Sequence, residues 1–150
     1  ETASVAAVYS SNCLEHIVDD QATVRDISRV LETNGVFVLY VPALQFLFSS
    51  MDERVGHVRR YRLKDVRDLA EKSGLEVLAI RYVDSLGVIA TLFFKFFGKS
   101  TGTPGRWSIK IYDSLVFRFS IALDVLLRQL VGKNLLLVAK KSEIVLPHVP

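Results

Sequence analysis

The stretch Ser10-Ser11-Asn12-Cys13-Leu14-Glu15-His16 brings hydroxyls, an amide, a thiol, a carboxylate and an imidazole into one short segment. An apolar run, Val5 to Tyr9, stops at it, and Asp19-Asp20 follow. The imidazole is the group best suited to moving a proton near neutral pH, since an unperturbed histidine titrates at about 6.5. His16 is therefore the candidate general base. The competing reading is that Glu15 and His16 orient the loop and help to cap the helix that follows. Cys13 would act as a nucleophile only if a cation or a helix N-terminus favoured its thiolate. Free cysteines more often serve as small buried hydrophobes, and Cys13 is read so.

A second group lies in "GHVRRYRLK", residues 56 to 64, with His57, Arg59, Arg60, Tyr61, Arg62 and Lys64. Guanidinium forks match carboxylate and phosphate geometry, so His57, Arg59, Arg60 and Tyr61 are candidate substrate-binding residues for an anionic small molecule. The alternative is a solvated helix entry whose arginines pair with Asp52, Glu53 and Asp65. Contact with RNA phosphates is a third reading, and nucleic acid is ranked low because the net charge is only +3. No residues are assigned to a metal.

Alternating elements must position these groups. Residues 4 to 9 read as a short buried strand. A helix is expected near Asp20 to Thr33, capped by Asp19 or Asp20, with Val24, Ile27 and Leu31 on one apolar stripe. Asn34-Gly35 should end it, the glycine taking a left-handed turn. "VFVLYVP", 36 to 42, is continuously apolar and suits a central strand covered on both faces. Residues 43 to 62 form a polar-aromatic connection. A second helix is expected from about Leu63 to Ser73, with Val66, Leu69 and Ala70 inward and Gly74 as its stop. "LEVLAIRYV", 75 to 83, is another strand. This alternation is the mark of an α/β fold.

The last third differs. "LGVIATLFFKFFG", 86 to 98, is an apolar helical run too short to span a bilayer, which takes about 20 residues. Residues 99 to 106 are a Gly, Ser, Thr and Pro loop, and 107 to 131 an amphipathic helical stretch. "LLLVAKK", 135 to 141, closes as a strand. Phe93, Phe94, Phe96 and Phe97 are too many for an exposed helix. They are read first as core or lid, second as a homodimer interface, and third as a peripheral membrane contact.

Composition sets wider bounds. The 150 residues favour one domain. Half of them are hydrophobic, and the mean hydropathy of +0.30 is rich for a soluble domain. A single cysteine excludes an internal disulfide and fits a reducing, cytoplasmic setting. No signal peptide is visible at Glu1, and the chain opens almost directly on a strand, which suggests a fragment.

With the elements in order, "YSSNCLEHIVDD" followed by "VLETNGVFVLYVPA" resembles the second half of a class I S-adenosylmethionine-dependent methyltransferase of the small-molecule type. "SSMDERVGHVRRYRLKDVRDLAEKSGLEVLAIRY" continues the likeness, and "GKNLLLVAKK" resembles that fold's seventh strand. The resemblance covers about residues 4 to 85 and 132 to 141. It implies a partial Rossmann-like sheet, with strands equivalent to the fourth to seventh and a helical insertion, 86 to 131, before the last strand. It implies S-adenosylmethionine as cofactor of the intact parent enzyme. Ser11, Asn12, Leu14 and Glu15 would line the cofactor, and His16 would open toward the substrate. The family's glycine-rich loop has no counterpart here, because "GKSTGTPG" follows a helical run and not a strand. The implied function is methyl transfer to a small molecule, weak or absent in this chain alone. A rival is a non-catalytic module of the same fold that dimerises through 86 to 131 or through an exposed sheet edge.

Overall fold

The computed structural model describes residues 2–97, 124–127 and 129–142. Within them, strand β1 (Val5–Ser11) leads through a short 3-10 turn (Leu14–His16) into helix α1 (Asp20–Val30) and strand β2 (Leu31–Pro42). A second 3-10 turn (Gln45–Leu47), helices α2 (Ser50–Arg54) and α3 (Leu63–Glu71), strand β3 (Leu75–Val83), helix α4 (Ser85–Phe97) and strand β4 (Asn134–Lys141) complete the order. Most of the expected 86 to 131 insertion, including residues 98–123, lies outside the described residues.

The sheet order is β1-β2-β4-β3. β1 and β2 are parallel, joined by α1 as the crossover. β4 runs antiparallel between β2 and β3. The last strand in sequence thus enters the middle of the sheet. The α/β expectation and the strand assignments of the resemblance hold.

Alternation explains the core. On β2, Phe37, Leu39 and Val41 are buried, and on β4, Leu135, Leu137 and Ala139. Helices α1 and α3 cover this face with Val24, Val66, Leu69 and Ala70. The intervening side chains Val36, Val38, Leu136 and Val138 are half-buried. The continuous apolar run of β2 is thus closed on one face and only partly covered on the other among the described residues.

Two local expectations are corrected. β1 is not a buried strand: Val5, Ala6, Ala7 and Tyr9 are exposed, and among the described residues β1 lies at the sheet edge, paired only with β2. It also runs on to Ser11, so Ser10 and Ser11 stand in the sheet opposite Leu39 and Tyr40. Helix α1 stops at Val30 rather than Thr33, with Leu31 already extended. The left-handed residue is Asn34 (φ 65), not Gly35. Gly35 is needed for space, since a Cβ there would lie 2.8 Å from the Glu32 carbonyl oxygen. Val24, Ile27 and Leu31 do face inward, and Asp19 is the cap, its Oδ1 accepting from the Ala22 N–H at 2.9 Å.

The 43 to 62 connection is more ordered than its sequence suggests. Ser49 caps α2, and the Asp52 carboxylate reaches back to the Ser49 N–H at 2.9 Å. Pro42 and Leu44 bond the backbone of Tyr61, which draws the arginine-rich segment alongside the end of β2. At α4, Lys95 Nζ donates to the carbonyls of Phe46 and Phe48 at 2.6 and 2.8 Å, while Phe96 is exposed. The Asp124 carboxylate accepts from the N–H groups of Asp84 and Ser85, satisfying donors at the start of α4.

Candidate functional site

In open α/β sheets, ligands bind beyond the carboxyl ends of the parallel strands. At the end of β1 the chain turns sharply. Asn12 adopts a left-handed conformation (φ 47), and its N–H still bonds the Tyr40 carbonyl at 2.9 Å. Ser11 is half-buried, while Asn12 and Cys13 are exposed on the rim. Cys13 is therefore not the buried hydrophobe expected of it. Leu14 and Glu15, expected beside Ser11 and Asn12, turn inward: Leu14 enters the core, and Glu15 has no exposed surface.

The segment 55 to 61 folds over this turn. The Val58 N–H donates to the Glu15 carbonyl at 2.9 Å, and the His57 N–H to the Asp52 carbonyl at 2.9 Å. These backbone bonds set His57 against His16, with ring centroids 4.8 Å apart in an edge-to-face arrangement. Two histidines 41 residues apart in sequence thus become neighbours.

Each ring is oriented through Nδ1. His16 Nδ1 lies 3.1 Å from the Gly56 carbonyl oxygen, which can only accept, so Nδ1 carries the hydrogen. His57 Nδ1 lies 2.9 Å from Asp52 Oδ1. Burial alone would raise the Asp52 pKa, but hydrogen bonds from Arg60 and then His57 outweigh it and hold the carboxyl below its usual range. An ionised Asp52 only accepts, so His57 also carries its hydrogen on Nδ1. Its Nε2 faces Glu15 Oε1 at 3.7 Å. Neither carboxylate oxygen of Glu15 has a hydrogen-bond partner among the described residues.

The expected substrate-binding residues are placed as follows. Arg60 is buried against Asp52, with Nε at 2.8 Å and Nη2 at 3.1 Å, and also donates to the Ala43 carbonyl. Arg59 pairs with Asp20 at 2.8 Å and donates to the Val18 carbonyl at 2.7 Å. The Tyr61 hydroxyl lies 3.0 Å from Asp20 Oδ2 and 3.2 Å from the Leu14 carbonyl, and burial, followed by the Asp20 charge, pushes its pKa far up. These three side chains lock the segment in place. His57 is the member that faces Glu15 and His16.

The sequence assigns no metal ligands, yet the fold brings one ligand atom from each of Glu15, His16 and His57 to within 4.8 Å of the others. The pattern "LEH" with a distant "GH" was the available signal, and nothing in the spacing joins the two. A separate groove of about 510 Å³, lined by Arg67, Val77, Ile80, Arg81, Gln129 and Val138 among others, includes none of these residues.

Residues 1–39 match a family model described as a methyltransferase domain. No curated protein sequence gives a significant match. Among solved structures, the chain is similar to that of a complex between the Haloferax volcanii Trm112 methyltransferase activator and a protein described as its methyltransferase (TM-score 0.57, 18% identity, 95% of this chain and 56% of that one). It is similar to an S-adenosylmethionine-dependent methyltransferase from Archaeoglobus fulgidus (TM-score 0.54, 14% identity, 93% and 61%). It also resembles Haemonchus contortus phosphoethanolamine N-methyltransferase 2, solved with S-adenosyl-L-methionine (TM-score 0.54, 20% identity, 95% and 34%). The chain spans between 34% and 61% of the length of these three structures. Its fold is that of the class I S-adenosylmethionine-dependent methyltransferases.

Proposed function

We propose that this chain forms the substrate-facing part of a methyltransferase that uses S-adenosylmethionine to methylate a small molecule, in a cytoplasmic setting. The observation that carries this reading is the position of the His16–His57 pair, beyond the carboxyl end of β1 in a sheet of methyltransferase order. Exposed Asn12 and half-buried Ser11 on the rim suit the polar end of a cofactor, whereas Leu14 and Glu15 shape the floor from beneath. When bound, S-adenosylmethionine supplies an electrophilic methyl group. The residues of this chain then act by orientation, which is the main requirement of a direct displacement. His16, exposed and held through Nδ1 by Gly56, presents Nε2 as the acceptor for a proton from the attacking group.

Calorimetric titration of the chain with S-adenosylhomocysteine tests the cofactor role. Binding between micromolar and millimolar, weakened by Asn12→Ala, is expected. Absence of binding at millimolar ligand overturns it. In an active preparation, His16→Ala should lower kcat by about 10²–10⁴-fold if it removes a general base. An unchanged kcat removes that assignment.

One observation favours a second reading, a dimerising module without catalysis. Among the described residues β1 pairs on one side only, and Tyr9 on it is 69% exposed. An open strand edge of this kind pairs readily. Sedimentation equilibrium separates the readings: a monomer at micromolar concentration rules the module out.

A further inference from the structure

We propose that Glu15, His16 and His57 form a binding site for a divalent first-row transition cation of the Zn²⁺ type. The inference rests on the donor set; a bound cation takes up the His16 Nε2 lone pair, so the cation site and the general-base role of His16 exclude one another.

With its hydrogen on Nδ1, His57 points the Nε2 lone pair toward Glu15 Oε1 at 3.7 Å. A lone pair facing a carboxylate is repulsive unless a positive species lies between them. Glu15 sharpens the demand, because it is fully buried and its oxygens accept no hydrogen bond among the described residues. A buried carboxylate without partners is costly. Arg60 does not relieve it, since its Nε and Nη2 are both committed to Asp52.

The surroundings are those of a metal site. Metal-binding histidines typically donate their second ring N–H to a carboxylate or a backbone carbonyl, which fixes the tautomer and aims the other nitrogen. His57 does so to Asp52, and His16 to the Gly56 carbonyl. Asp52 is itself anchored by Arg60 and by the Ser49 N–H, so His57 is held by a built outer layer. Two imidazoles and one carboxylate suit Zn²⁺ and its neighbours, and leave a further position open for water or substrate.

The distances need only modest closure. Zn²⁺ bonds of about 2.0–2.2 Å place neighbouring ligand atoms roughly 3.3 Å apart. His57 and Glu15 stand at 3.7 Å, and all three ligand atoms lie within 4.8 Å of one another. His16, the exposed member, supplies the movement by a small shift of its ring that keeps the Nδ1 bond to the Gly56 carbonyl. The rival occupant of the gap is a proton on His57 Nε2, which requires no metal.

The test uses the full chain, stripped with EDTA and titrated with Zn²⁺ against a chromophoric chelator. One equivalent is expected to bind with micromolar or tighter Kd. Glu15→Gln should weaken binding at least tenfold, and Asp52→Asn by about 10–100-fold through loss of the outer support. Cys13→Ser should leave binding unchanged. X-ray absorption of the Zn²⁺-loaded wild-type chain needs no variant and should show two imidazole nitrogens. Failure to bind one equivalent below millimolar Zn²⁺ overturns the proposal in favour of the proton. Unchanged affinity in Glu15→Gln, or fewer than two imidazoles in the absorption spectrum, also overturns it.

Discussion

Asp52 and Arg60 form a buried pair in which one guanidinium bonds both carboxylate oxygens, Nε to Oδ1 at 2.8 Å and Nη2 to Oδ2 at 3.1 Å. His57 shares the same Oδ1 at 2.9 Å, so the pair that locks the chain also aims the imidazole. Stability and site geometry therefore rest on one carboxylate.

Asp52→Ala leaves the Arg60 charge buried without its partner. Breaking such a pair costs about 3–5 kcal/mol. Urea unfolding should show a loss of that order. The double change Asp52→Leu with Arg60→Met should lose less than Asp52→Ala alone, because replacing both charges with apolar groups removes the stranded one. A larger loss in the double variant contradicts this account.

Tyr61 gives a pH dependence with a defined sign. Its pKa is raised above the ordinary 10.0 by burial first, and then by the charge and hydrogen bond of Asp20. The folded chain thus holds a proton that the unfolded chain releases. The contribution is fully present below pH 10 and falls as pH rises above it. Tyr61→Phe should flatten the alkaline decline without abolishing it, because Tyr40 is also raised, by burial and then by Asp84. At pH 8 the same variant should be less stable by about 1 kcal/mol, for its lost hydrogen bonds. Equal alkaline slopes in the two proteins would sink the assignment.

Gly132 and Gly74 should respond differently to substitution. A Cβ at Gly132 would lie 2.6 Å from the Val83 carbonyl oxygen and 2.7 Å from its nitrogen. Gly132→Ala should destabilise by about 1–3 kcal/mol, since backbone must move. Gly74 sits at φ +76 with nothing within 4 Å of a Cβ. Gly74→Asn should stay within about 0.5 kcal/mol, because asparagine tolerates left-handed backbone. Thermal unfolding of both variants checks the contrast.

Much of the fold was legible, because local patterns carried it. The inward stripe of α1, the apolar run of β2, the Gly74 stop and the closing strand each express a periodicity or a turn preference that acts within a few residues. The errors arose where environment decides. The apolar sequence of β1 reads as a buried strand, yet among the described residues it lies exposed at the sheet edge. Asp19 and Asp20 are equally good caps on paper. In the structure Asp19 caps α1, while Asp20 takes Arg59 and the Tyr61 hydroxyl, partners about forty residues away. The spacing of the arginines showed a cluster but not its partners.

By itself, the sequence determined most of the described strands and helices, though not α2 within the 43 to 62 connection, and it set His16 just beyond a strand end. Those outcomes depend on side-chain alternation and capping, which neighbours along the chain settle. Tertiary structure alone decided that β4 inserts between β2 and β3, that Glu15 is buried, and that His57 meets His16. Each is a contact between residues distant in sequence, brought together when the apolar face of the sheet is covered. Glu15 shows the difference most clearly: a glutamate in a polar loop reads as solvated, and only folding the 55 to 61 segment over it creates a buried carboxylate facing an imidazole.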